Sequence, residues 1–206
     1  MDGIPEEIDT PDVLIDRDVL QRNVDRMAAA VRARGLRLRP HAKTHKLPQI
    51  AALQLAAGAT GSSAEGTRAV RRALQQLEVW PDDARLQDGS GLARQTRFPA
   101  DALVDLLRLA AGPDHPELRA VLTGLPVAGV EGSLRQRYSD EDSRAGRGVV
   151  RGKTGTLTGV HALAGYLRTA DGAQLAYAFL VNDATDDYAA KVWLDRVSAA
   201  LSRCGC

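Results

Sequence analysis

Lys153, Thr154 and Gly155 stand in the run Val149-Val150-Arg151-Gly152-Lys153-Thr154-Gly155-Thr156-Leu157, which reads as a strand ending in a cation, a hydroxyl and a glycine. For such a triplet to take part in hydrolysis a nucleophile must come from elsewhere. A serine becomes one only beside a base that takes its proton. The chain has four lysines, Lys43, Lys46, Lys153 and Lys191, and none follows a serine by three residues. Neither of its two asparagines, Asn23 and Asn182, lies two residues after a serine. S-x-x-K and S-x-N are therefore both absent from the sequence. His41 and His45, four apart, would suit a metal on a helix, but Pro40 and the alternation before it put them at a strand end, so no metal site is expected. Cys204 and Cys206 read as free thiols at a loose terminus, and C-G-C offers too few ligands for a metal.

Composition narrows the partners. An apolar fraction of 44% with 26% charged residues is that of an ordinary globular chain, and a formal net charge of +1 gives no drive toward nucleic acid. The arginines from Arg17 to Arg37 are interspersed with Asp16, Asp18 and Asp25, the pattern of a solvated helix face. No window reaches 18 apolar residues, so no membrane span is expected. Met1 to Glu7 lacks the basic head and apolar stretch of a secretory signal.

The elements that would position these residues fall into two stretches. The first 60 residues read as strand, helix, strand, helix. Val13-Leu14-Ile15 is a short apolar run, and Asp16 or Asp18 can cap a helix with Leu20, Val24, Met27 and Val31 on one face. Gly35 suits the position past its end. Leu36 and Leu38 alternate with Arg37 and Arg39 into Pro40-His41-Ala42-Lys43-Thr44-His45-Lys46, and a second stripe runs from Ile50 to Gly58. Beyond Gly61, Ser62 and Glu65 form a capping-box pattern for a helix expected to bury Val70, Ala73, Leu74 and Leu77. Pro99 opens a helix with Leu103, Leu106, Leu107 and Ala110 on one face. Three strand-like runs follow, over 148–154, 161–167 and 174–181, the last two joined by the turn Thr169-Ala170-Asp171-Gly172. A final helix presents Val192, Leu194, Val197 and Leu201.

Asp88-Gly89-Ser90-Gly91-Leu92, Leu125-Pro126-Val127-Ala128-Gly129, Gly132-Ser133-Leu134 and Lys153-Thr154-Gly155-Thr156-Leu157 occur in that order. Together they resemble the C-terminal part of the D-alanyl-D-alanine carboxypeptidase/endopeptidase family of serine penicillin-binding proteins, over residues 61–206. The resemblance implies an extracytoplasmic, peptidoglycan-processing family that attacks the D-Ala-D-Ala amide of a stem peptide. It implies a K-T-G strand that takes the substrate as an added edge strand. By position, Lys153 would serve as carboxylate or network cation, Thr154 and Thr156 as hydroxyl donors, and Gly155 would allow close backbone approach. The serine motifs would lie upstream of Gly61-Ser62-Ser63, where this chain carries something else. Ala93 replaces the second serine of the family's D-G-S-G-L-S-R run, and Ser90 reads as a loop residue rather than a nucleophile.

Thr10-Pro11-Asp12-Val13-Leu14-Ile15-Asp16 and Pro40-His41-Ala42-Lys43 are similar to another family, the pyridoxal-phosphate enzymes of D-threonine aldolase and D-serine dehydratase type, which are alanine-racemase-like barrels. That resemblance implies Lys43, and not Lys46, as the cofactor-binding lysine. An α/β barrel needs about eight strand–helix units, and this stretch supplies one, so no bound cofactor is expected; pyridoxal phosphate is the candidate.

The sequence thus reads as a hybrid α+β chain: one βα unit of a pyridoxal-phosphate barrel (1–60), a junction at Gly58-Ala59-Thr60-Gly61, and a penicillin-binding-type antiparallel sheet with a C-terminal covering helix (61–206). The expected function is that of a truncated carboxypeptidase, inactive alone for want of S-x-x-K and S-x-N, with Lys153, Thr154, Gly155 and Thr156 as substrate-binding residues. The alternatives are a pyridoxal-phosphate lyase or racemase fragment using Lys43, and a non-catalytic binding module for D-amino-acid peptides.

Overall fold

The computed structural model describes residues 15–40, 47–59 and 63–205. The chain parts into two compact units between Gly66 and Thr67.

In the first unit, helix α1 (Arg17–Arg32) packs with α2 (Pro48–Ala56). Asp16 caps α1 by accepting from the Val19 N–H at 2.9 Å. Gly35, at φ +68°, ends it as expected, and Leu36 N–H returns to the Val31 carbonyl. Val24 and Ala28 are buried, Leu20 and Val31 half-buried, and Met27 is 56% exposed. The expected stripe is thus narrower than its spacing suggests, because a nine-residue partner helix covers only part of one face. Residues 36–40 form no strand, since no described strand in this unit pairs with their backbone groups. Val13, Leu14, Thr60, Gly61 and Ser62 lie outside the described residues.

Helix α3 (Ser63–Gln76) spans the division, and in the second unit it leads into a loop region, then α4 (Ala100–Ala111) and the short α5 (Arg119–Thr123). Val70 is 43% exposed and Ala73 is exposed; Leu74 and Leu77 are half-buried, while Thr67 and Val79 are buried instead. Three antiparallel strands follow, β1 (Arg151–Leu157), β2 (Val160–Arg168) and β3 (Gln174–Val181), in that spatial order. Helix α6 (Asp187–Ser202) closes the fold. The first strand begins at Arg151 rather than Gly148, because Gly148 at φ +74° and a turn at Arg144–Gly146 occupy the residues before it. The K-T-G triplet therefore lies inside the strand and not at its end. The turn at Thr169–Gly172 is where the sequence puts it.

On β2, His161, Leu163, Gly165 and Leu167 are buried and their neighbours are not, the alternation of a sheet with one face on the core. Leu163, Leu167 and Tyr177 meet Leu194 and Ala199 of α6 in that core, with Ala128, Leu134, Tyr138 and Val150. On the other face, Ala162, Ala164, Ala176 and Ala178 leave room for α4, which packs against β2 and β3. The inner face of α6 is more polar than expected. Leu194 is buried and Val192, Val197 and Leu201 are half-buried, but Asp195, Ser198 and Ser202 are buried too. Each has a partner. Arg137 grips Asp195 (Nε to Oδ1 3.0 Å and to Oδ2 3.1 Å), the Tyr138 hydroxyl meets Ser198 Oγ at 2.8 Å, and Ser202 donates to the Ala199 carbonyl.

Candidate functional site

Lys153, Thr154, Gly155 and Thr156 occupy the third to sixth positions of β1, opposite Ala164, Leu163, Ala162 and His161. Gly152 turns its N–H away from β2 and donates to the Pro126 carbonyl at 3.0 Å. The alternation of an antiparallel ladder then sends the backbone N–H and C=O of Thr154 and Thr156 to that same outer edge. Among the described residues, no backbone group pairs with either there. Lys153 Nζ donates to the Thr154 carbonyl at 2.8 Å, and Thr154 Oγ1 donates to Ser133 Oγ at 3.1 Å. The side chains of Lys153 and Thr156 are exposed.

The motif segments found in the sequence surround this edge. Pro126 to Ala128 run along the start of β1, with Val127 opposite Arg151 and the Ala128 N–H on the Val150 carbonyl. Gly132, at φ +57°, lets the Gly132-Ser133-Leu134 turn sit where a Cβ would come within 2.9 Å of Pro126. This brings Ser133 to Thr154. A Cβ on Gly155 would meet the Ala162 Cβ at 3.3 Å, so the glycine there is set by cross-strand packing as well as by access. Arg94, from the Asp88–Arg94 loop, donates from Nη2 to the Thr158 carbonyl in the β1–β2 turn at 3.0 Å.

Two carboxylates order the neighbourhood. Burial pushes the Asp88 carboxyl up, but hydrogen bonds from Ser90 Oγ and from the Leu92, Ala93 and Gly91 N–H groups outweigh it and hold the group below the usual carboxylate range. Ser90 is thus engaged in shaping its loop. Asp187 is held low by His161, whose Nε2 lies 2.8 Å from Oδ1, and by the Gly159 N–H at 2.9 Å on the same oxygen. His161 is almost wholly buried and its Nδ1 has no hydrogen-bond partner among the described residues. The sequence reading missed this pair; an imidazole among the alternating apolar residues of β2 was its signal.

The arrangement sets the outward backbone groups of Thr154 and Thr156 beside the Lys153 ammonium, and it presents no activated nucleophile among the described side chains. Ser143, Ser198 and Ser202 are buried in hydrogen bonds of the fold, Ser90 is held by Asp88, Ser133 faces Thr154, and Ser139 is exposed with no lysine three residues on. No described group of three or more His, Cys, Asp or Glu side chains is placed to hold a metal. Cys204 is an exposed free thiol. Lys43, Lys46, His41 and His45 lie outside the described residues. No described helix is long and apolar enough to cross a membrane.

Comparison with known proteins finds both resemblances. Residues 50–202 match the family described as D-Ala-D-Ala carboxypeptidase 3 (S13). The chain is 38% identical to carboxypeptidase DacB of Mycolicibacterium smegmatis over 139 residues, 67% of this chain and 30% of the relative. The crystal structure of penicillin-binding protein 4 from Haemophilus influenzae matches with a TM-score of 0.59 at 28% identity, covering 76% of this chain and 35% of that one. A shorter likeness, 54% identical over 54 residues, is to D-threo-3-hydroxyaspartate dehydratase of Delftia sp., covering 26% of this chain and 14% of the relative. The chain therefore spans about a third of its carboxypeptidase relatives.

Proposed function

Because this chain belongs to the D-Ala-D-Ala carboxypeptidase 3 (S13) family, we propose that it carries the strand half of a peptide-holding site without the serine half. In this reading the chain binds carboxylate-ended D-amino-acid peptides, such as peptidoglycan stem peptides, and does not hydrolyse them. The observation that carries the reading is the outer edge of β1, where the backbone groups of Thr154 and Thr156 face outward beside Lys153. An extended peptide laid along that edge completes the ladder. Its terminal carboxylate reaches the Lys153 ammonium and a threonine hydroxyl, a charge-assisted contact. The absence of S-x-x-K and S-x-N leaves acyl transfer without a base-activated hydroxyl.

The test is a titration of isotope-labelled protein with diacetyl-Lys-D-Ala-D-Ala, followed through backbone amide signals. The reading expects shifts concentrated at Thr154 to Thr156, lost in Lys153→Ala. Shifts elsewhere, or none at millimolar peptide, would remove it. The same reading takes the chain as a hybrid joined near Gly58–Gly61, and sequencing the genomic locus across residues 50–70 tests that join.

A second reading, a pyridoxal-phosphate lyase or racemase fragment using Lys43, draws on the likeness to the hydroxyaspartate dehydratase. A visible absorbance on mixing with the cofactor, lost in Lys43→Ala, would favour it; an unchanged spectrum removes it.

A further inference from the structure

The hairpin that carries Lys153 to Thr156 turns at Thr158 and Gly159, and that turn is held from two sides. On one side, the Asp187 Oδ1 atom accepts from the Gly159 N–H at 2.9 Å and from His161 Nε2 at 2.8 Å, and the Ala184 N–H donates to the Gly159 carbonyl at 2.9 Å. On the other side stands Arg94, 64 residues away in sequence, with Nη2 at 3.0 Å from the Thr158 carbonyl.

Arg94 is presented by a closed loop. Arg85 and Arg97 exchange both backbone hydrogen bonds, at 2.8 and 2.7 Å, and so seal its base. Within it, the Asp88 carboxylate gathers Ser90 Oγ and the N–H groups of Gly91, Leu92 and Ala93, the three residues before Arg94 among them. The Arg94 carbonyl in turn accepts from Arg97 Nη1 at 2.6 Å, and Thr96 N–H donates to Ala93. A long side chain loses rotamer freedom when it makes a single bond. Here its root is already fixed on both sides, so less freedom remains to be lost.

We propose that Arg94 is a positioning residue for the peptide-holding edge: the Asp88 loop aims its guanidinium at the Thr158 carbonyl, and that bond, opposed by Asp187, fixes the attitude of β1. This extends the reading of β1 as a peptide edge and rests on it for its functional consequence, but the structural claim stands without a ligand. Edge-strand addition needs the outward N–H and C=O groups of Thr154 and Thr156 in register with the incoming chain. A free hairpin would splay and twist at its turn. Asp88 touches neither β1 nor the turn in any described hydrogen bond, so its influence on the hairpin runs through Arg94.

The experiment compares wild type with Arg94→Ala, Arg94→Lys, Asp88→Asn, Ser90→Ala and the Asp88→Asn/Arg94→Ala double variant. Two readouts are taken: amide hydrogen exchange of Leu157 and Val160 without ligand, and the affinity for diacetyl-Lys-D-Ala-D-Ala. Losing one hydrogen bond of ordinary net strength should speed exchange at Leu157 and Val160 by about three- to tenfold in Arg94→Ala. Lysine should restore most of it, because its ammonium can donate to the same carbonyl. Asp88→Asn and Ser90→Ala should show part of the Arg94→Ala effect, and the double variant should be no worse than Arg94→Ala, since both act through one bond. Peptide affinity should fall in the same order. Additive effects, or exchange unchanged in Arg94→Ala, would overturn the proposal. Wild type that binds no peptide, while Arg94→Ala still loosens the turn, would instead remove the peptide reading and leave the clamp.

Discussion

Tyr177 on β3 reaches across β2 to the first residue of β1, its hydroxyl donating to the Arg151 carbonyl at 3.1 Å. The path is open because Gly165 stands opposite Tyr177 on one side and Gly152 on the other. A Cβ on Gly165 would lie 1.9 Å from the Arg151 carbonyl oxygen, and one on Gly152 would lie 2.6 Å from the Tyr177 hydroxyl. Two glycines in one cross-strand row thus seat a buried tyrosine over the strand that carries Lys153. Burial drives the Tyr177 hydroxyl far above its ordinary pKa, so it remains a donor at every ordinary pH.

This row gives the first expected outcome. Gly165→Ala meets backbone, which cannot step aside, and should cost on the order of 3 kcal/mol or more in urea unfolding. Gly152→Ala meets a side-chain oxygen first and should cost about 1–3 kcal/mol. Tyr177→Phe removes that oxygen, so the Gly152→Ala/Tyr177→Phe pair should lose less than the sum of the two single changes. Strict additivity would show that the hydroxyl does not set the glycine requirement.

The buried ion pair beneath α6 gives the second. Burial raises the Asp195 carboxyl despite the Arg137 guanidinium gripping it, so the ionised form of Asp195 leans on Arg137. Arg137 also donates to the Lys191 carbonyl at 2.9 Å, and Asp195 receives the Tyr138 N–H at 3.3 Å. Arg137→Met should destabilise by about 3–5 kcal/mol, because it leaves a buried carboxylate unpaired. Adding Asp195→Leu should recover part of that loss, as removing both charges is cheaper than orphaning one. A double variant worse than Arg137→Met would refute this account.

Much of this was readable in the residues, and the failures share a cause. The strand-like runs over 161–167 and 174–181 and the turn signal at Thr169–Gly172 marked the β2–β3 hairpin, because both depend on local backbone chemistry. Lys153 to Thr156 were identifiable by motif, and their outward edge follows from strand register. Arg137–Asp195 and Tyr138–Ser198 were not identifiable, because their partners lie 58 and 60 residues apart and a polar residue on a helix face is ordinarily a solvated one. Met27 was placed on the apolar face of α1 and Val70 in the core on spacing alone, yet spacing marks a face without saying how much of it a neighbour covers. Arg94 was passed over for the same reason as Asp195: its meaning lies in a carbonyl 64 residues away.

Acid should loosen the β1–β2 turn. His161 and then the Gly159 N–H favour the ionised form of Asp187, so its folded pKa lies below the unfolded value of about 3.9. A depressed carboxyl contributes stability that is fully present above the unfolded pKa and lost as pH falls through the folded one. Wild-type unfolding midpoints should therefore drop between about pH 5 and pH 2 more steeply than those of Asp187→Asn. The variant should start lower at pH 7 and approach wild type in acid. Parallel pH curves for the two proteins would exclude Asp187 as the group responsible.

The last expectation is that fluorescent penicillin leaves no covalent band on this chain. Acylation needs a hydroxyl whose proton a neighbouring base removes, and no lysine follows a serine by three residues. Among the described residues Ser133 touches the K-T-G strand, its Oγ receiving the Thr154 hydroxyl, while Lys153 Nζ donates to the Thr154 carbonyl. Losing the nucleophile alone costs a serine hydrolase about a million-fold in turnover. Cleavage of diacetyl-Lys-D-Ala-D-Ala should accordingly match buffer, in wild type and in Lys153→Ala alike, even where the peptide binds. A labelled band in a denaturing gel that disappears in Ser133→Ala would reverse this, because it would show that Thr154 and Lys153 activate a serine from outside the S-x-x-K arrangement.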